Sequence, residues 1–139
     1  MAVVQNHHNY AWKVADLVIH RKGATPAEAG TLGIIPGSMG TASYVVMGLG
    51  NEAALQSASH GAGRRSSRRQ AKDSISLHAA RAFLAERDIL VQGLAADESP
   101  QAYKDVERVL AIQVQAGLVR PVARMRPVAV IMAGEEGEG

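Results

Sequence analysis

Between residues 48 and 72 the chain carries Gly48, Gly50, Gly61 and Gly63, four serines and the arginines 64, 65, 68 and 69, but only Leu49 and Leu55 as large apolar side chains. A stretch of that composition buries little surface, so it runs over the outside or lines a cleft. The core must therefore come from the short apolar runs on either side of it. With 139 residues and a hydrophobic share of 47%, one domain with a core is within reach. The aromatic share is only 4%. Aromatic side chains supply much of the buried area of a self-sufficient fold, so this composition suits a piece of a larger architecture.

The flanking runs are short. Residues 14–19 (VADLVI) read as a strand that ends in the basic turn His20-Arg21-Lys22-Gly23. Glycines and Pro36 crowd around Ile34 and Ile35 before the run Ser43-Tyr44-Val45-Val46, which predicts a tight loop between two strands. Leu77, Ala80 and Leu84 stand at helical spacing within residues 74–87, with Asp73 or Ser74 placed to cap. A second helix is expected from an N-cap at Ser99, with Pro100 in its first turn, to a stop at Gly117. Residues 118–131 mix valines with arginines and carry Pro121 and Pro127, as edge strands do. The expected class is α+β, with mixed short strands and about two helices. Glu135, Glu136 and Glu138 among glycines read as an acidic, disordered tail over 135–139. The absence of cysteine excludes disulfides and thiolate metal sites built from this chain. No signal-like or membrane-spanning run is present in the sequence, and a cytoplasmic location is expected.

Three segments carry residue types suited to chemistry. In Asn6-His7-His8-Asn9-Tyr10, a neutral imidazole can ligate a transition metal. Adjacent histidines on an extended chain point apart, so one of the pair at most faces a given ion, and a polar turn is the plainer reading. In residues 35–43 (IPGSMGTAS), glycines allow close approach while amides and hydroxyls can meet phosphate oxygens, although a tight structural turn explains the same residues. The loop fits neither the Walker pattern nor the dinucleotide fingerprint. In Ser59-His60-Gly61-Ala62-Gly63-Arg64, small neighbours leave the His60 ring unhindered and the following arginines offer forked donors to phosphate. A neutral imidazole there can attack phosphorus and carry a nucleotidyl group, while a flexible, RNA-attracting loop is the alternative. His20 and His78 show no such setting.

Taken in order, His8-Asn9-Tyr10, residues 20–25 (HRKGAT), residues 35–40 (IPGSMG), residues 59–64 (SHGAGR), Ala102-Tyr103-Lys104-Asp105 and Val122-Ala123-Arg124 resemble the RtcB family of RNA ligases. The resemblance covers residues 1–134 and implies the carboxy-terminal part of an RtcB-type domain. It implies GTP- and manganese-dependent joining of RNA 3′-phosphate or 2′,3′-cyclic phosphate ends to 5′-hydroxyl ends, in tRNA splicing or RNA repair. By that resemblance His8 is a manganese ligand and Asn9 contacts the nucleotide. Pro36, Gly37, Ser38, Met39 and Ser43 hold GTP, and His60 becomes guanylylated. Gly61, Ala62 and Gly63 wrap the nucleotide, Tyr103 lies near the guanine, and Arg64 and Arg68 meet phosphate.

Two departures accompany the match. The family's remaining metal ligands, an aspartate, a cysteine and two histidines, belong to an amino-terminal portion that this sequence lacks, so that portion is an expected partner alongside RNA and GTP. Where the family closes with lysine and glycine, Ile131 is followed by Met132-Ala133-Gly134. Methionine cannot supply the charged donor that lysine would. The alternative is a non-catalytic nucleotide- or RNA-binding remnant, and a truncated reading frame is a third reading.

Overall fold

A computed structural model describes residues 3–132. The expected acidic tail, with Ala133 and Gly134, lies outside the described residues. Among them the class is α+β: short strands in small sheets, joined by three α-helices.

The chain opens with an antiparallel hairpin of β1 (Asn9–Val14) and β2 (Leu17–Lys22), paired from Asn9↔Lys22 to Val14↔Leu17. The strand expected over 14–19 is corrected, because the reversal at Ala15-Asp16 cuts it in two. Ala15 takes a φ of 51°, the left-handed turn conformation that two-residue hairpins require. The basic stretch after Ile19 is likewise strand, and the turn falls on Gly23 alone, at φ 66°.

Strand β3 (Ala24–Pro26) pairs with β6 (Ser57–Ser59). A three-stranded antiparallel sheet runs β4 (Leu32–Ile35), β5 (Ser43–Gly48), β8 (Val119–Met125), with β5 central and buried at every second residue. Pro121, which has no amide hydrogen, sits on the edge strand β8 beside a break in register at Val45/Val46, as the sequence led one to expect. Strands β7 (Leu90–Gln92) and β9 (Ala129–Ile131) pair in parallel.

The helices are α1 (Arg68–Ser74), α2 (Leu77–Ala85) and α3 (Val106–Gln115). Beside the two expected helices stands the short α1, which carries a single buried residue, Ala71, and so has no apolar periodicity to read. Its signal is a capping box, in which Ser67 and Gln70 satisfy each other's backbone amides. Helix α2 starts from Ser76 rather than Asp73 or Ser74. Helix α3 starts from Asp105, whose carboxylate accepts from the Glu107 amide at 2.9 Å, while Ser99-Pro100 opens only a 3-10 turn.

Two apolar clusters form. One gathers Ile35, Tyr44, Val46, Ala58, Val106, Leu110 and Val119 between the three-stranded sheet and α3. The other gathers Met39, Ala80, Leu84, Ile89 and Leu94, with Phe83, Val130 and Met132 against it. Ile35, Leu84, Val106 and Val119 are fully buried, and each contributes roughly 1.5–3 kcal/mol by leaving water.

Candidate functional site

Two loops meet where these clusters adjoin. In the first, between β4 and β5, a Cβ on Gly37 would lie 2.1 Å from the Ala42 carbonyl oxygen, so only glycine fits. The Gly37 amide donates to Ser43 Oγ at 3.0 Å and the Ser38 amide to Thr41 Oγ1 at 2.7 Å. The loop's own hydroxyls thus occupy two of the donors that the sequence offered to phosphate.

The second loop, residues 59–65, is fastened on every side. Gln113, buried on α3, accepts from the Ser59 amide at 2.7 Å, and the Ser59 hydroxyl donates to the Gly61 carbonyl at 2.6 Å. The His60 amide donates to the Gly23 carbonyl at 3.1 Å, and the Gly23 amide to the His8 carbonyl at 2.7 Å. Lys104 and Arg65 exchange backbone bonds with Gly63 and Ala102 at 2.9 Å each. These bonds fix the backbone around His60 and set its ring against that of His8, stacked with centroids 4.0 Å apart and planes 22° off parallel.

Between the loops opens a cleft of about 800 Å³. Pro36, Gly37, Ser38, Met39, Ser43, His60, Gly61, Ala62, Gly63 and Tyr103 all line it. His8 reaches it through its stack on His60. Asn9 does not line it; it is exposed at the start of β1, paired with Lys22. Glu98 and Arg126 line the cleft too, and neither was anticipated. Nor was Gln113, which looks in sequence like one polar residue on a helix. Met132, where the resembled pattern has lysine, forms part of the cleft wall.

Burial, reinforced by the His8 charge, lowers the His60 pKa below the ordinary imidazole value, which favours the neutral ring. Arg64 does not reach into open space. Its guanidinium lies 4.9 Å over the Tyr103 ring and donates to Glu98 at 2.9 Å and to the Tyr103 oxygen at 3.2 Å. Tyr103 in turn donates to Glu98. Burial raises the phenol pKa and the Glu98 carboxylate raises it further, so Tyr103 keeps its proton. Arg68 pairs with Asp97 at 2.7 Å and with Glu98. Both arginines expected at phosphate are therefore already paired. Arg126 forms no ion pair among the described residues.

A divalent ion needs several donors to displace its water. Among the described residues no three His, Cys, Asp or Glu side chains converge in that way. His8 is available, but the side chains of the described residues do not complete a manganese centre.

The family model described as tRNA-splicing ligase RtcB matches residues 1–133. An RNA-splicing ligase RtcB of Mycobacterium tuberculosis is 43% identical over 141 residues, covering 89% of this chain and 33% of the relative. An RNA-splicing ligase RtcB of Escherichia coli K12 is 41% identical over 135 residues, covering 94% and 33%. A tRNA-splicing ligase RtcB of Nanoarchaeum equitans is 38% identical over 143 residues, covering 89% and 30%. The chain spans about a third of the length of the curated relatives it matches. With the family model covering nearly the whole sequence, the chain belongs to the RtcB family of tRNA-splicing ligases.

Proposed function

We propose that this chain carries the nucleotidyl-accepting part of a GTP- and manganese-dependent RNA ligase, with His60 as the nucleophile. The observation that carries the proposal is a half-buried imidazole, stacked on His8, in the wall of a cleft of about 800 Å³ and followed by Gly61, Ala62 and Gly63. That volume lies within the roughly 300–1,000 Å³ typical of small-molecule sites. A nucleophilic imidazole needs a free lone pair, and burial, which lowers the His60 pKa, favours the neutral ring that has one.

In this reading, a His60 ring nitrogen attacks the α-phosphorus of GTP. A P–N bond forms, the bond to the β-phosphate oxygen breaks, and pyrophosphate leaves. The GMP group then passes to an RNA 3′-phosphate, restoring His60, and a 5′-hydroxyl displaces GMP to form the phosphodiester. An end bearing a 2′,3′-cyclic phosphate must first be hydrolysed to the 3′-phosphate. Met39, Val130 and Met132 offer an apolar wall for the purine, and Tyr103, held by Arg64 and Glu98, closes the rim. Arg126, which lines the cleft and forms no ion pair among the described residues, would meet phosphate. Exposed Arg65, Arg69 and Lys72 suit contacts to the RNA backbone. His8 would supply one manganese donor, with the others coming from outside this chain.

The reading is tested by co-expressing the chain with the remaining two-thirds of a relative and adding manganese and α-labelled GTP. Acid-labile label on this chain, lost in His60→Ala, is the expected result. Equal label in His60→Ala removes His60 as nucleophile. A second reading, nucleotide binding without transfer, is favoured by the incomplete donor set, and binding without label would select it.

A further inference from the structure

The β1–β2 hairpin has one mainly apolar face that the described residues cover only at its Arg21 end. Residues directly opposite each other in an antiparallel pair share a face. The register therefore puts Tyr10, Trp12 and Val14 of β1 on the same side as Arg21, Ile19 and Leu17 of β2; Arg21 is buried against residues 55–57 and Ile19 is half-buried. The other side carries Asn9, Lys13, His20 and Lys22, with Ala11 and Val18. An antiparallel sheet normally buries its apolar side and wets the other. Here Leu17 is 60% exposed, Tyr10 52%, Val14 46% and Trp12 39%, and every residue of β1 is exposed. The central strand β5, by contrast, buries Tyr44, Val46 and Gly48 at alternate positions. A two-stranded hairpin is marginal in water unless one face packs on something, and a contiguous apolar patch marks an interaction surface.

We propose that the remainder of the ligase polypeptide docks on this apolar face. This rests on the reading of the chain as part of a longer ligase, but not on the chemistry of His60. Two observations choose that occupant. The matched relatives are about three times as long as the region they share with this chain, so each contains a further body of polypeptide able to supply a covering surface. The face is also continuous with the candidate site: β1 begins one residue after His8, whose ring stacks on His60. A body seated on the hairpin stands beside the one imidazole pair that lacks further metal donors among the described residues.

The test co-expresses this full chain with an affinity-tagged remainder of the Mycobacterium tuberculosis relative. Stable one-to-one co-purification is expected, with amide exchange over residues 9–22 at least tenfold slower in the complex than in the free chain. Val14→Lys with Leu17→Lys reduces co-purification at least tenfold, whereas Lys13→Glu on the opposite face leaves it unchanged. Matching circular dichroism spectra of the free variants establish that they fold. No co-purification of the unmodified chain, undiminished capture of the Val14→Lys, Leu17→Lys variant, or protection confined to another segment overturns the proposal. So does a dimer of the free chain that this double variant dissociates, which would make a second copy the occupant. A complex that forms through the face but accepts no label from GTP refutes only the catalytic reading.

Discussion

Replacing Arg21 with methionine removes a guanidinium that is 3% exposed and holds three stretches of chain together. Its Nε donates to Ser57 Oγ at 2.8 Å, and its Nη2 lies 3.3 Å from both the Leu55 and Gln56 carbonyl oxygens and 3.4 Å from Glu28. Leu55 and Gln56 sit at φ 51° and 48°, a left-handed pair that non-glycine residues adopt only when held. Methionine keeps most of the stem and loses every donor. The Leu55 carbonyl retains the Ser57 hydroxyl at 2.9 Å and the Gln56 carbonyl retains the Ala27 amide at 2.8 Å, so neither acceptor is orphaned. The long contact to Glu28, itself partly exposed, adds little. One short charge-assisted bond and two stretched ones then amount to about 2 kcal/mol. For a chain of this length the midpoint of thermal unfolding falls by ~6 °C. Circular dichroism melts measure this, and amide exchange over residues 55–60 shows the loosening directly, because that segment delivers His60. Arg21→Lys, which keeps charge without the planar fork, falls between. A midpoint within about 1 °C of the unmodified chain in Arg21→Met would refute the view that Arg21 holds the segment.

Gln113→Leu leaves the Ser59 amide without its 2.7 Å acceptor. It is expected to lose about 1–3 kcal/mol in denaturant unfolding and to lower adduct yield while Gln113→Glu, which keeps an acceptor oxygen, restores part of it. The hydrogen bond from Arg68 is the largest influence holding the Asp97 carboxyl below its ordinary range. A depressed carboxyl adds stability above its unfolded value and loses it as pH falls through the folded one. The thermal midpoint therefore drops as pH goes below about 4. Asp97→Asn flattens that drop and lowers the midpoint at neutral pH.

The parts of the fold that sequence alone conveyed are those governed by local chemistry. The glycines and Pro36 between two β-branched runs specify a loop between strands, and Gly37 proves necessary because backbone oxygens crowd it. Pro121 marks an edge strand because it lacks an amide hydrogen, while Pro127 falls in the break between β8 and β9. What escaped was decided by tertiary structure. Arg21 reads as one cation in a basic turn, and only the meeting of β2 with the 55–57 segment buries it. Glu98 has no motif, yet it orders Arg64, Arg68 and Tyr103 together. The same cluster explains why two arginines expected at phosphate are engaged elsewhere. For α3 the cap read at Ser99 comes six residues too early; Asp105 caps the helix, and its first turn packs Val106 against the sheet. Of the segments that carried the resemblance, Gly23, residues 36–39, residues 59–63 and Tyr103 come together along one cleft although far apart in sequence, whereas Asn9 and residues 122–124 do not line it.

The stack of His8 on His60 gives the central claim its sharpest test, because two imidazoles 4.0 Å apart stand at one edge of the cleft. After incubation with GTP and manganese beside the remainder of a relative, peptide mass mapping under alkaline conditions locates the guanylyl group. The account predicts GMP on the peptide bearing His60, with fragment ions assigning it to that ring and none on His8. A guanylyl group on His8, or none on either histidine in a complex that binds GTP, would contradict it.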